Sequence, residues 1–445
     1  MSVLKSASGV AAVCGGLLLA GLTGMARAEP DYAAIDRAAA ELQPQVVQWR
    51  RWFHQHPELS NREFETSRRI EQILRGMGLD PRTGIARTGV SALIEGGRPG
   101  PIVAIRADID ALPVTEQTGL DFASTARAQY NGQQVGVMHA CGHDNHMAMA
   151  LGAARLLNDM KADLPGSVLL IFQPAEEGPP VGEEGGASLM IEEGLFEEHV
   201  PEAVFGIHVG IGQPGGRIAT RPGPLMAASD RFLIRINGRQ THGARPWDGV
   251  DPVTVAGQII LGLQTIASRQ LDVTQAPSII SVGRVSGGIR FNVIPDTVEL
   301  EGTIRSFDPQ MRAQIHQAIE RTASLIAQSA GATIDLELTL GAPPVRNDAA
   351  LTEQMMPSLA RVAGPVLDVQ PQTVAEDFAE YGQIAPSLFL FLGNWPAELD
   401  PATQPANHSP YFDMHEPFLE VGVRAFAHMV VDYLDAAGRE SANGR

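Results

Sequence analysis

Val168-Leu169-Leu170-Ile171-Phe172-Gln173-Pro174-Ala175-Glu176-Glu177 is the stretch that decides the fold class. Its five apolar residues read as a compact buried strand, and Gln173-Pro174 ends it. Similar short runs stand at 90–95, 102–107 and 203–209, the first two joined by the turn Gly96-Gly97-Arg98-Pro99-Gly100. Ahead of the quoted strand, Met147, Leu151, Ala154 and Leu157 recur at helical spacing. Strands alternating with helices predict an α/β layer with a largely parallel central sheet flanked by helices. Ligands gather where the strands of such sheets end. Glu176, Glu177 and His208 follow or close strands of this kind.

A second unit begins after Arg221-Pro222-Gly223-Pro224. It reads as a strand at 232–236, a helix from Asp251-Pro252 with Val255, Ile259, Leu263 and Ile266 on one face, and strands at 278–285 and 297–304. A helix over 308–329 and a strand at 332–338 follow. The order βαββαβ predicts a ferredoxin-like, two-layer α+β domain inserted into the first. Gly341-Ala342-Pro343-Pro344 reads as the return linker. A strand at 388–392 and a helix carrying Leu419, Val423, Phe426, Val430 and Tyr433 then close the chain. The expected division is residues 29–223 with 339–445 as the main domain and 224–338 as the insert.

The first 28 residues read as an export signal: Lys5, an apolar run from Gly9 to Leu22, and the small-x-small site Ala26-Arg27-Ala28. That run is shorter than the roughly 20 residues a membrane span needs. The mature chain is expected to start near Glu29 in an exported compartment, a bacterial periplasm, without a membrane anchor. Removing residues 1–28 takes away Lys5 and Arg27 and leaves 31 basic against 51 acidic residues, a net charge of −20. Such a balance argues against nucleic acid or anionic membrane as partners. Of the two cysteines, Cys14 lies in the signal, so Cys141 has no intrachain disulfide partner.

Met138-His139-Ala140-Cys141-Gly142-His143-Asp144-Asn145-His146 packs a thiol, three imidazoles and a carboxylate ahead of the helical run. Cys141 and His143, two residues apart, can aim at one centre if the chain is extended there. A thiolate with imidazoles suits zinc or a neighbouring transition metal. Adjacent Glu176 and Glu177 point apart, so one can bind metal while the other faces a substrate. His208 in an apolar strand and His408 in the polar loop Asn407-His408-Ser409-Pro410 are further candidates. Asp108 and Asp110, spaced by two at a strand end, project from one face, or cap the next turn.

Taken together, these phrases resemble the amidohydrolase branch of the dinuclear-zinc peptidase family that contains acetylornithine deacetylase and the aminoacylases. Within it the chain is most similar to hippurate hydrolases, auxin–amino acid conjugate hydrolases and N-acyl-amino acid carboxypeptidases. The resemblance rests on RRWFHQHPELS from Arg50, AIRADIDALPV from Ala104, MHACGHDNHM from Met138, FQPAEEG from Phe172 and GIHVG from Gly206. THGARPWDGVDPV from Thr241, FNVIPD from Phe291, AEDFAEY from Ala375 and NHSPYFD from Asn407 complete it.

The resemblance implies two divalent metal ions per subunit, zinc first, with manganese, cobalt or nickel also suited, held by Cys141, His143, Glu177, His208 and His408. It implies a hydrolase that cleaves the amide of an N-acyl-amino acid with water activated by the metals and Glu176 as general base. No Gly-x-Ser-x-Gly elbow competes with that chemistry. His242 is implied to reach the active site of a partner subunit, within a homodimer or higher homo-oligomer, and to stabilise the oxyanion. Asn292 is implied to hold substrate, and Arg290 suits a substrate carboxylate. Asp110, Asp144 and His146 are expected to orient the ligands, with His54 and His56 less so. Trp247 departs from the pattern, standing where relatives commonly carry a second histidine. The same site could serve a carboxypeptidase or dipeptidase on short peptides. A periplasmic solute-binding protein is the alternative from another class.

Overall fold

The computed structural model describes residues 29–210, 212–396, 398–400 and 403–443. The export signal read at 1–28, with Cys14, lies outside the described residues.

From Tyr32 onward the elements are helices α1 (Tyr32–Gln55) and α2 (Phe64–Gly76), strands β1 (Arg82–Ile85), β2 (Gly89–Ile94) and β3 (Arg98–Asp108), and helix α3 (His143–Asp159). Strands β4 (Pro165–Gln173), β5 (Ala203–Val209) and β6 (Ile218–Thr220) follow. Next come β7 (Ala228–Asn237), α4 (Pro252–Thr265), β8 (Ser278–Gly287), β9 (Thr297–Ser306), α5 (Pro309–Ser329) and β10 (Thr333–Thr339). Helix α6 (Ala349–Ala363), strands β11 (Leu367–Asp368) and β12 (Ser387–Leu392), and helix α7 (Leu419–Asn443) end the described chain.

The central sheet has the order β1-β2-β4-β3-β5-β12-β6-β11. Its middle strands β4, β3, β5 and β12 run parallel, and antiparallel pairings occur toward the edges. Alternation along each strand explains why both faces are covered. Val168, Leu170 and Phe172 pack into one core with Val103, Ile105, Leu388, Leu390 and the helices α1, α3 and α7. Leu169, Ile171, Ala104, Phe389 and Phe391 point into a second core on the other face. Truncating a fully buried residue such as Leu170 to Ala would cost about 2–5 kcal/mol.

The turn read between residues 95 and 102 does not make a hairpin. Strand β4 lies between β2 and β3, paired with both. The glycines there serve close approach: a Cβ on Gly96 would sit 1.9 Å from the carbonyl oxygen of Gly166.

Strands β8-β9-β7-β10 form a separate antiparallel sheet, in the order expected for a βαββαβ unit. Helices α4 and α5 cover one face, closing a core of Phe232, Ile234, Ile259, Leu263, Leu300, Ile315 and Ile319. Both helices start with Pro behind an aspartate cap: Asp251 accepts from Val253 N–H at 2.9 Å and Asp308 from Met311 N–H at 2.8 Å. Asp230, buried on β7, accepts from Arg312 Nε (2.9 Å), His316 Nε2 (2.7 Å) and the N–H of Gly341 (3.1 Å). It thereby ties α5 and the return segment to one strand.

Candidate active site at the ends of the parallel strands

Four chain segments meet where β3, β4 and β5 end. Strand β4 stops at Gln173, and Ala175 turns the backbone sharply at φ +53°, a left-handed value costly for a non-glycine residue. Glu176 and Glu177 follow, and their N–H groups donate to the two carboxylate oxygens of Asp110 at 3.1 and 3.0 Å. Ser60 Oγ donates to the same carboxylate at 2.7 Å. Cys141 and His143 flank Gly142, whose φ of +101° replaces the extended chain that their spacing suggests. A Cβ there would lie 2.3 Å from Val209, so only glycine fits this turn. His408, itself at φ +70°, donates its N–H to Ala140 O at 2.7 Å, and Asn407 Nδ2 donates to Cys141 O at 2.8 Å. The last segment is thereby stapled to the first.

The side chains converge. Cys141 Sγ lies 3.4 Å from His208 Nε2, and His408 Nε2 lies 3.2 Å from Glu177 Oε1. His143 Nε2 is 3.9 Å from Glu176 Oε2 and 4.0 Å from Glu177 Oε1. Two overlapping triplets with donor atoms close enough for one cation, Cys141–His143–His208 and Cys141–Glu177–His408, share the thiol. His143 and His208 each bring their Nδ1 to a main-chain carbonyl, of Asp110 at 2.8 Å and Val209 at 2.9 Å. Donation there turns Nε2 of each ring toward the other donors. His143 Nε2 is buried with no hydrogen-bond partner in the protein, which fits a nitrogen that would ligate a cation. A third triplet, Asp108–His143–His146, is a poorer candidate: His146 Nε2 accepts from Val209 N–H at 2.9 Å and Nδ1 contacts Asp108 Oδ1 at 2.6 Å. Neither nitrogen of His146 is free.

The electrostatics point the same way. Burial, then Glu376, Glu177 and Asp377, push Glu176 well above the usual carboxyl range. Burial raises Asp377 to about 8. Burial and the neighbouring Glu177 push the Cys141 thiol far up. His143 is lifted to about 10 because Asp108, Asp110 and Glu177 outweigh its burial. Below this surplus of acid sits the buried Arg106, bonded to Gln173 (2.9 Å), Asp108 (2.7 Å), Glu376 (2.9 Å) and Asp377 (3.0 Å). One guanidinium cannot balance so many acids. Protons or cations must hold the rest.

The family description Peptidase family M20/M25/M40 matches residues 104–432. The chain belongs to this family. It is 41% identical over 352 residues to the N-acetyl-L-cysteine deacetylase of Bacillus subtilis, covering 79% of this chain and 81% of that protein. It is 39% identical to thermostable carboxypeptidase 1 of Saccharolobus solfataricus, over 88% of this chain and 96% of the relative. A solved dinuclear metal-binding M20 peptidase from Bacillus subtilis aligns with TM-score 0.76 and 36% identity, over 89% of this chain and 99% of that one. Membership in a family of hydrolases removes the solute-binding alternative.

In this M20 chain a cavity of about 520 Å³ is lined by Cys141, Glu176, Glu177, His208, Asn407 and His408, and by Ser229 and Arg305 from the inserted sheet. Three residues expected at the site, His242 and Asn292 from the resemblance and Arg290 from its guanidinium, are not among those lining it. His242 is exposed on a short strand paired with 293–294, Asn292 stands beside Gly243, and Arg290 is exposed in the loop between. Trp247 is exposed as well. Asp144, expected to orient the ligands, instead accepts from Arg50 Nε (2.9 Å) and contacts His54 Nδ1 at 2.8 Å. Those bases hold its carboxyl well below its ordinary range against the effect of burial. His54 also meets Glu116 at 3.0 Å, and His56 stacks on Trp52. Residue-by-residue reading assigned no role to Arg106, Glu376, Asp377, Asn407 or Arg305. The quoted AEDFAEY phrase held two of them, and an acid pair with no cation in its own segment was the available signal.

Proposed function

We propose that this protein hydrolyses the amide bond of N-acyl-amino acids in a site that holds two divalent cations. The observation that carries this reading is the convergence of Cys141, His143, Glu177, His208 and His408 around Glu176 in a cavity that also presents Arg305. One thiolate, three imidazoles and a carboxylate suit zinc, with manganese, cobalt or nickel as alternatives. When bound, the cations supply Lewis acidity, easing deprotonation of the attacking water and polarising the amide carbonyl. Glu176 accepts the proton of that water as its oxygen bonds to the carbonyl carbon. As the C–N bond breaks, Glu176 returns the proton to the departing nitrogen, releasing a carboxylate and an amino acid. The acids gathered by Arg106 hold the Glu176 side chain in a poorly solvated, proton-retaining setting, which suits those two duties. Arg305 lines the same cavity and its Nη1 has no hydrogen-bond partner, so its guanidinium is the cation placed to meet a substrate carboxylate.

The exposed position of His242 supports action in a second copy, and so a homodimer. Mixing Glu176→Gln with His242→Ala subunits would then restore part of the activity lost by each. Export with cleavage near Glu29 is proposed on the composition of residues 1–28, and N-terminal sequencing of secreted material tests it. Short peptides remain a second substrate class, supported by the carboxypeptidase relative. The decisive assay is a panel of N-acyl-amino acids and dipeptides with each metal. Stoichiometric metal uptake without hydrolysis of any member would end the proposal.

A further inference from the structure

A smaller cavity of about 230 Å³ shares Glu177 and Gly178 with the larger one and otherwise draws on different segments. Its apolar wall is Leu59, Ala111, Leu112 and Pro113, and Tyr130 of the 127–136 hairpin stands at its rim. Leu59 and Ala111, 7% and 3% exposed, form with Val137 a small cluster of their own, packed by Ala126 and Ala128. Three of the polar side chains around it already have partners in the protein. Ser60 Oγ donates to Asp110 at 2.7 Å. Arg62 makes a two-point pair with Glu183, at 2.6 and 3.0 Å, and Gln129 Nε2 donates to Gln134 at 2.8 Å. The cationic side chain of this pocket, Arg62, is thus held by Glu183, whereas the larger cavity is lined by Arg305, whose Nη1 has no hydrogen-bond partner.

An N-acyl-amino acid has the same polarity: a carboxylate at one end, an uncharged acyl group at the other, and the scissile amide between. We infer that the pocket formed by Leu59, Ala111, Leu112 and Tyr130 receives the acyl group, while the substrate carboxylate lies toward Arg305. The inference rests on the amide-hydrolase reading above and specifies the substrate class. The pocket is several times the ~30 Å³ taken up by one water molecule. The methyl of an acetyl group, comparable to one water, would leave most of it unfilled. A medium-length or aromatic acyl group fills it, and selectivity follows from the apolar surface then removed from water.

The test measures kcat/KM for N-acetyl-, N-hexanoyl- and N-benzoyl-alanine and for N-benzoyl-phenylalanine, on the wild-type protein, Leu112→Trp and Tyr130→Ala. The wild type should prefer hexanoyl or benzoyl over acetyl by about tenfold or more. Leu112→Trp fills the pocket and should cut the benzoyl-to-acetyl ratio by about tenfold, and Tyr130→Ala by about threefold. The alanine-to-phenylalanine ratio should keep its value in both. Acyl ratios that ignore both substitutions, or a change confined to the amino acid ratio, would overturn the assignment. Should Leu112→Trp fail to fold, Tyr130→Ala at a half-exposed hairpin site decides alone. A wild-type protein that cleaves none of these amides but cleaves dipeptides, or nothing, refutes the N-acyl reading itself. Cleavage with unresponsive ratios refutes only the subsite.

Discussion

The imidazole of His143 donates Nδ1–H to the main-chain carbonyl of Asp110 at 2.8 Å, and this bond decides which nitrogen faces the cavity. The carboxylate of Asp110 meanwhile receives the N–H groups of Glu176 and Glu177. One residue therefore sets the direction of an imidazole and of both acids. Asp110→Asn replaces one acceptor oxygen with a donor facing an N–H group. Metal affinity should fall about 10–100-fold, read by competition with a chromophoric chelator. An unchanged affinity would mean that the loop holds its shape without this carboxylate.

Glu176→Gln preserves size and removes the proton acceptor. Metal content should stay at the wild-type level while kcat drops by about 10²–10⁴-fold. Elemental analysis and turnover on a cleaved substrate check both halves, and substantial residual turnover would remove Glu176 as the base.

Cys141 belongs to both donor triplets, so its loss should disturb more than one cation. Cys141→Ser is expected to bind less metal per chain than the wild type after dialysis against a weak chelator. Full stoichiometry in the variant would take the thiol off the ligand set.

Arg305→Ala should raise KM for carboxylate-bearing substrates, with a loss of about 1.5–3 kcal/mol for a charge-assisted hydrogen bond. The corresponding amino acid amides should be cleaved poorly by the wild type and be almost indifferent to the substitution. Equal losses on both substrate types would show that Arg305 acts on packing and not on the carboxylate.

Asp230 gives a pH prediction. Burial would raise its carboxyl, but the bonds from Arg312, His316 and Gly341 hold it at about 2. A depressed folded-state value means stability that is fully present above the unfolded value, about 3.9, and lost as pH falls from there toward 2. The contribution is of the order of 2 kcal/mol. Asp230→Asn should be less stable near neutrality and show a shallower acid dependence between about pH 4 and 2 in chemical denaturation. Parallel curves for the two proteins would contradict this.

The six residues of the proposed metal and acid–base chemistry stand in short phrases that say little singly, and it is the joint resemblance of those phrases to one family that assigns them together. The parallel core was equally open, since unbroken apolar runs such as Val168–Phe172 have few other uses. Arg106 was not: a lone arginine inside an apolar strand does not reveal that its acids arrive 270 and 271 positions later. Arg305 was hidden for another reason. On β9 it alternates with the core residues Val298, Leu300 and Ile304, so its face reads as solvent until the inserted sheet is set beside the cavity. Asp144 misled by adjacency, because the helix turn that carries His143 inward hands its neighbour to Arg50 and His54.

Asn407 and Cys141, bonded through a side chain and a carbonyl, stand 266 positions apart. The ribosome therefore delivers four of the five donors long before it delivers His408. The βαββαβ unit, complete by Thr339, has every partner for its own packing while the last donor is still unmade. Nascent chains halted between these points should trap as a folded insert attached to an incomplete donor cluster, and completion of the donor set becomes a late event in biogenesis.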